Sequence, residues 1–264
     1  MTDHLPRMLL IQGTGPSLLE EALLHQALVK RRMPGTASTS TVWQCAMANG
    51  QTAFHKPLGP MSDPHPRLGL PVYEYFGHAA PPAVAVNEAA AWRLARAMGA
   101  PYETLVATSV IRWLRSEPGI PADWGALTRK GEGPSGRLEP LVNPNLCDPA
   151  AFFDCLIGQQ DRHAGNFRFD LRTGILTLID HGYSFPGGQW RLNDSAFLRQ
   201  RYGDGRASLT SQEVQLLKSL PALEVWAELH MVLRDDQVAA FEWRREEMLS
   251  RGEVLRPEQT DLAA

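Results

Sequence analysis

Gln160-Asp161-Arg162-His163-Ala164-Gly165-Asn166, continuing through Phe167-Arg168-Phe169, Leu171-Arg172-Thr173-Gly174 and Ile175-Leu176-Thr177-Leu178-Ile179 to Asp180-His181-Gly182, is the stretch on which the reading of this chain turns. Its middle alternates apolar and polar residues on either side of a glycine-ended turn, the pattern of strand, tight turn, strand. Antiparallel strands return to where they began. Asn166 therefore enters the hairpin and Asp180 leaves it at the same open end, close enough to share one or two cations through oxygen ligands, with Asp161 on the loop just upstream.

Those residue types in that order suit metal-assisted phosphoryl transfer: a carboxylate, Asp161, to orient and deprotonate a hydroxyl, and an amide and a carboxylate, Asn166 and Asp180, to hold Mg²⁺ against the phosphates of ATP. The same chemistry needs a cation on the phosphates, kept in place by a carboxylate. Thr52-Ala53-Phe54-His55-Lys56 follows the turn Asn49-Gly50 and the run Thr41-Val42-Trp43-Gln44-Cys45, so Lys56 falls near the end of the second arm of a hairpin over 41–56, stopped by Pro57. Thirty-two residues later, a helix over 87–98 is predicted, with Asn87 as its N-cap, Glu88 in its first turn and Gly99 at its end. A single Lys or Glu is ordinarily a solvated surface charge. The ordered set of Lys56, Glu88, Asp161, Asn166 and Asp180 is what departs from that reading.

These motifs carry a family resemblance. Gln160-Asp161-Arg162-His163-Ala164-Gly165-Asn166 with Leu178-Ile179-Asp180-His181-Gly182 resembles the catalytic and metal-binding loops of the phosphatidylinositol 3-/4-kinase-like branch of the protein kinase superfamily. The motifs there read Asp-Arg-His-x-x-Asn and Ile-Asp-Phe-Gly. The whole order, with a Lys-Pro strand end and a Glu-x-Ala-Ala helix, looks most like an uncharacterised bacterial group of that branch. The resemblance implies an α+β, two-lobed kinase-like fold, with a small sheet-rich N-lobe over 1–138 and a mainly helical C-lobe over 139–264 carrying the catalytic β-hairpin. It implies Asp161 and His163 as catalytic residues, Asn166 and Asp180 as metal ligands, and Lys56 with Glu88 on the nucleotide. Two departures stand out. His181 occupies the usual Phe position, and no Gly-x-Gly-x-x-Gly precedes Lys56. The loop 34–40 takes the latter's place, with Gly35, Ser38, Thr39 and Ser40 offering backbone N–H groups and hydroxyls to phosphates.

Charge bears on the acceptor. Between Tyr183 and Gly205 the cations are Arg191, Arg199 and Arg201, set against Asp194 and Asp204, and the whole chain has net charge -3. A lipid headgroup on an anionic membrane calls for a basic face, so a soluble protein or small molecule is the expected acceptor, with no stable membrane association. The same balance and the lack of a basic stripe give no support to nucleic-acid binding. Three cysteines, Cys45, Cys147 and Cys155, form no CxxC pair and no disulfide frame, and no run of eighteen apolar residues occurs, so a cytoplasmic protein is expected.

The remaining elements follow from periodicity and capping. A helix is predicted over 18–32, its basic end Lys30-Arg31-Arg32 suiting a helix C-terminus. Strands are expected near 105–114 and 124–129, an adenine hinge between 128 and 142, and long loops over 59–82 and 118–149, where Gly and Pro cluster. Asp148-Pro149 reads as a helix start, and helices are expected from Thr210 or Ser211, over 222–233 and over 237–251. Arg162 pairing with Asp161 or Asp180 is an alternative, structural role for that residue. Two other functions fit the residues: a nucleotide-binding pseudokinase or adenylate-transferring relative on the same fold, and a hydrolase whose metal is held by His163, Asp180, His181 and Cys155.

Overall fold

The structure is a computed structural model that describes residues 18–25, 28–32, 42–57, 81–114, 123–187 and 194–256. Its first part is a five-stranded antiparallel sheet in the order β1-β2-β3-β5-β4, built from Leu28–Arg32 (β1), Trp43–Met47 (β2), Thr52–Pro57 (β3), Ser109–Leu114 (β4) and Asp123–Arg129 (β5). Helix α1 (Leu18–His25) and helix α2 (Pro81–Met98) complete this part, and a short α3 (Tyr102–Leu105) leads into β4. Period-two alternation sorts the sheet's side chains. Cys45, Met47, Ala53, Val110 and Leu127 pack with Leu23 of α1, whereas Ile111 and Ala126 pack with Ala85, Val86 and Ala89 of α2. Lys56 pairs with Ala126, which pairs with Ile111, so the lysine stands in the row that faces α2.

The body is helical. Helices α4 (Glu139–Val142), α5 (Pro144–Ile157), α6 (Ala196–Gly203), α7 (Ser211–Ser219), α8 (Glu224–Val232) and α9 (Asp235–Arg251) surround a hairpin of β6 (Phe167–Asp170) and β7 (Ile175–Leu178). The core runs through Phe152, Phe153 and Leu156 of α5, Phe167 and Leu178 of the hairpin, and Phe241 and Met248 of α9. Ala90, Trp92, Leu94 and Met98 of α2 join the same core, so that helix is apolar on both sides and lies buried between sheet and body. Gly158 ends α5 at φ 65, and a Cβ there would collide with the Arg244 guanidinium and Pro186, so no other residue closes the helix at this spot.

Three expectations are corrected. The helix over 18–32 stops at His25, and Lys30-Arg31-Arg32 form an edge strand against Gln44, Cys45 and Ala46, because backbone pairing with an open sheet edge outweighs the weak local preference of a short basic run. The helix carrying Glu88 begins at Pro81 rather than Asn87, since Pro81 and Pro82 suit a first turn, where no N–H is needed. Of the loop expected over 59–82, residues 59–80 lie outside those described. Helix α5 starts at Pro144, capped by Asn143, whose side chain accepts from Asn145 N, so Pro149 lies inside the helix instead of opening it. Of Thr210 and Ser211, it is Thr210 that caps α7, in a capping box with Glu213 in which both reciprocal bonds form.

Candidate active site

Lys56 is the centre of the cleft between sheet and body. Its Nζ lies 2.5 Å from Glu88 Oε1 and 2.5 Å from Asp180 Oδ1, which joins β3, α2 and the end of the hairpin through one ammonium. Glu88 is buried in the middle of α2, not in its first turn. Burial by itself disfavours the charged form of both partners. Against it, Asp180 and Glu88 hold the Lys56 ammonium above the ordinary lysine range, and Lys56 together with His181 hold the Glu88 carboxyl well below the ordinary glutamate range.

Arg162 builds the other half of the site. It is buried, its Nε and Nη2 clasp Asp154 of α5, and its Nη1 donates to Ile179 O and, at 2.6 Å, to Asn166 O. Ile179 N donates to Asn166 O at 3.1 Å, so both ends of the hairpin are tied to one guanidinium. The ion-pair partner of Arg162 is thus Asp154 rather than Asp161 or Asp180: a buried arginine takes a carboxylate that can be buried with it, and Asp154 is fully buried. Asn166 Nδ2 donates to Asp161 O at 2.7 Å and to Asp161 Oδ2 at 3.1 Å, which leaves the amide oxygen for another ligand. Burial and then the negative charge of Asp180 raise the proton affinity of Asp161, with His163, Arg162 and Asn166 opposing.

Asp180 has φ 61, a backbone state that a non-glycine residue rarely adopts, and Gln159 Nε2 donates to its carbonyl at 2.9 Å. His163 is exposed and caps the short turn 164–166 by accepting from Gly165 N at 2.9 Å, with its Nε2 3.8 Å from Asp161 Oδ1. His181 is buried edge-on against Phe153, 3.8 Å from Glu88 Oε2. Burial and the charge of Arg162 lower its proton affinity, with Glu88 opposing.

The structure therefore brings Lys56, Glu88, Asp161, Asn166 and Asp180 into one cleft, with His163 at its rim. Gly35, Ser38, Thr39 and Ser40 lie outside the described residues. The hydrolase ligand set does not assemble. Cys155 faces Met248 and Leu255 N in the body, His181 lies behind Asp180 against Glu88, and among the described residues no three His, Cys, Asp or Glu side chains are placed to hold a metal. What the cleft does offer is hard oxygen, from the Asp180 carboxylate and the Asn166 amide, which fits Mg²⁺ or Mn²⁺ better than a thiophilic ion. Gln159 and Asn87 were not found as site residues from sequence, and nothing local marks them: Asn87 reads as a helix cap, but its amide donates to Gly182 O and Ser184 O.

Among solved structures, the chain is similar to the Golgi casein kinase with Mn/ADP bound, at TM-score 0.54 and 15% identity over 88% of this chain and 74% of that one. The fold is kinase-like. A second structure of the Golgi casein kinase matches at TM-score 0.54 and 14% identity over the same shares. The Helicobacter pylori proinflammatory kinase CtkA follows at TM-score 0.42 and 10% identity, over 88% of this chain and 94% of that one. No protein-family model matches the sequence, and no curated protein matches it either.

Proposed function

We propose that this chain is an ATP- and Mg²⁺-dependent phosphotransferase that acts on a hydroxyl of a soluble protein or small molecule, nearest in type to the phosphatidylinositol 3-/4-kinase-like branch. The observation that carries the reading is the double ion pair of Lys56 with Glu88 and Asp180, which links the sheet to the hairpin end beside the Asp161–Asn166 pair. The match to a kinase structure holding Mn and ADP supports a nucleotide and a divalent cation as the ligands.

Each residue's work follows from its setting. Lys56, kept protonated by its two carboxylates, neutralises phosphate oxygens, and Glu88 fixes where that charge sits. Asn166 and Asp180 hold the metal, which supplies charge neutralisation on the transferring group when bound. Asp161 orients the acceptor hydroxyl and takes its proton, and its raised proton affinity strengthens it as a base. His163 braces the loop that presents Asp161. The acceptor is soluble because the cations after Asp180 are already engaged: Arg201 is buried on Glu213 and Arg199 pairs with Asp194. Arg191 lies outside the described residues.

A thermal-shift titration with ATP tests the reading. Stabilisation is expected only when Mg²⁺ or Mn²⁺ is present, and is expected to vanish in Asp180→Ala. With candidate acceptors, the label of γ-labelled ATP should move to product. Transfer of an α-label instead would make the chain an adenylyl transferase, and absence of any nucleotide shift would overturn the proposal.

A further inference from the structure

Residues 180–185 run from the carboxylate of the cleft to Phe185, and every backbone carbonyl among them is taken. Asp180 O accepts from Gln159 Nε2 at 2.9 Å, His181 O from Ser184 N at 3.0 Å, and Gly182 O from Asn87 Nδ2 at 2.9 Å. Tyr183 O accepts from Gln160 N at 3.3 Å, Ser184 O from Asn87 Nδ2 at 2.7 Å, and Phe185 O from Gln237 Nε2 at 2.7 Å. Four of these six bonds come from three side-chain amides on separate segments: Asn87 in α2, Gln159 just after α5, and Gln237 in α9. All three are buried, at 0%, 0% and 2% exposure, so none is held in place by solvent. They also brace one another and the loop: Gln237 Nε2 lies 3.4 Å from Asn87 Oδ1, and Ser184 Oγ lies 3.2 Å from Gln159 Oε1.

Residues 181–185 are buried, so their carbonyls have no water to turn to, and a segment whose carbonyls are all bonded to other segments or to itself has few states open to it. The choice of amides has a physical reason. A carboxamide supplies donors and an acceptor without net charge, whereas a lysine or arginine in these places would compete for the carboxylates of Asp180 and Glu88. The left-handed backbone of Asp180 persists only where its surroundings over-determine it, and Gln159 grips the carbonyl of that very residue.

We propose that Asn87, Gln159 and Gln237 are positioning residues for Asp180: they hold 180–185 in one backbone state in the ligand-free chain, so that the metal-binding carboxylate is set before nucleotide and metal arrive. The functional meaning rests on the reading of Asp180 as a metal ligand, and the rigidity does not. The cleft is then assembled without a separate event that orders this segment.

Hydrogen exchange on the ligand-free full chain tests the rigidity directly. The amides of Ser184 and Phe185 should exchange slowly in the wild type. In Gln159→Leu, and in Gln159→Met, which keeps the side-chain length but removes the amide without adding charge, they should exchange at least about tenfold faster while the sheet and α9 are unchanged. A second readout is the Mn²⁺ concentration needed for half-maximal ADP binding, which should rise about tenfold in the same variants while ADP binding at saturating Mn²⁺ still reaches the wild-type amplitude. Fast exchange at 184–185 in the wild type, no change in either variant, or faster exchange spread evenly over the chain would overturn the proposal. If exchange responds as stated but the wild type binds no ADP with Mn²⁺, the phosphotransferase reading fails and the role of the amides in setting the loop stands.

Discussion

At the scale of the residue, carboxylates of one cleft are tuned in opposite directions. Glu88 is buried against a cation and its proton affinity is lowered, whereas Asp161 is half-buried near Asp180 and its proton affinity is raised. Asp161→Asn is therefore expected to lower transfer by about 10²–10⁴-fold while leaving metal-dependent ATP affinity in place, as measured by turnover beside a binding titration. The Lys56–Glu88 pair sets a pH window. A glutamate held below its usual 4.5 adds stability above that pH and loses it as pH falls towards the folded value; a lysine held above its usual 10.5 adds stability below that pH and loses it as pH rises further. Melting temperature should thus fall below about pH 4.5, and fall less steeply in Glu88→Gln than in the wild type. The charged members of the cleft could be read from residue type and spacing alone. Asn87, Gln159 and the Asp154 partner of Arg162 could not, because an amide or a buried carboxylate acquires its role only from what the fold sets against it.

At the scale of the element, α2 decides the geometry of the cleft, and what fixes α2 is not its own propensity. Arg93 donates Nη2 and Nε to Glu228 of α8 at 2.9 and 3.2 Å, and Arg93 with Arg96 holds Glu20 of α1. Glu20 and Glu228 are both buried, and removing the Arg93 guanidinium takes both of its bonds from Glu228, whereas Glu20 keeps Arg96. Arg93→Ala should cost about 3 kcal/mol in denaturant unfolding. In a double-mutant cycle, adding Glu228→Gln should cost less than the sum of the two single changes. The hairpin β6–β7 was legible because alternation and a glycine turn are local signals. Strand β1 was not, since five residues rich in cations carry helix and strand patterns equally well until an open sheet edge selects one.

At the scale of the whole molecule, all three cysteines are buried, Cys45 between sheet and α1 and Cys147 and Cys155 in the core of the body. Burial pushes the Cys147 thiol up to about 11 and the Cys155 thiol up to about 12, so neither supplies thiolate at neutral pH. A thiol reagent such as DTNB should label none of the three in the native protein at pH 7.5 and all three after denaturation, and rapid native labelling would contradict the packing. Among the described residues no helix is long and apolar enough to cross a membrane. The kinase-like order of Lys56, Glu88, Asp161, Asn166 and Asp180 and the two hairpins were written in the linear chain, because each hairpin depends on neighbours within a turn or a pleat. The assembled cleft was not. Lys56 meets Asp180 across 124 residues and Gln237 meets Asn87 across 150, and contacts at such separations exist only once a buried core has excluded water and left each polar group no other partner.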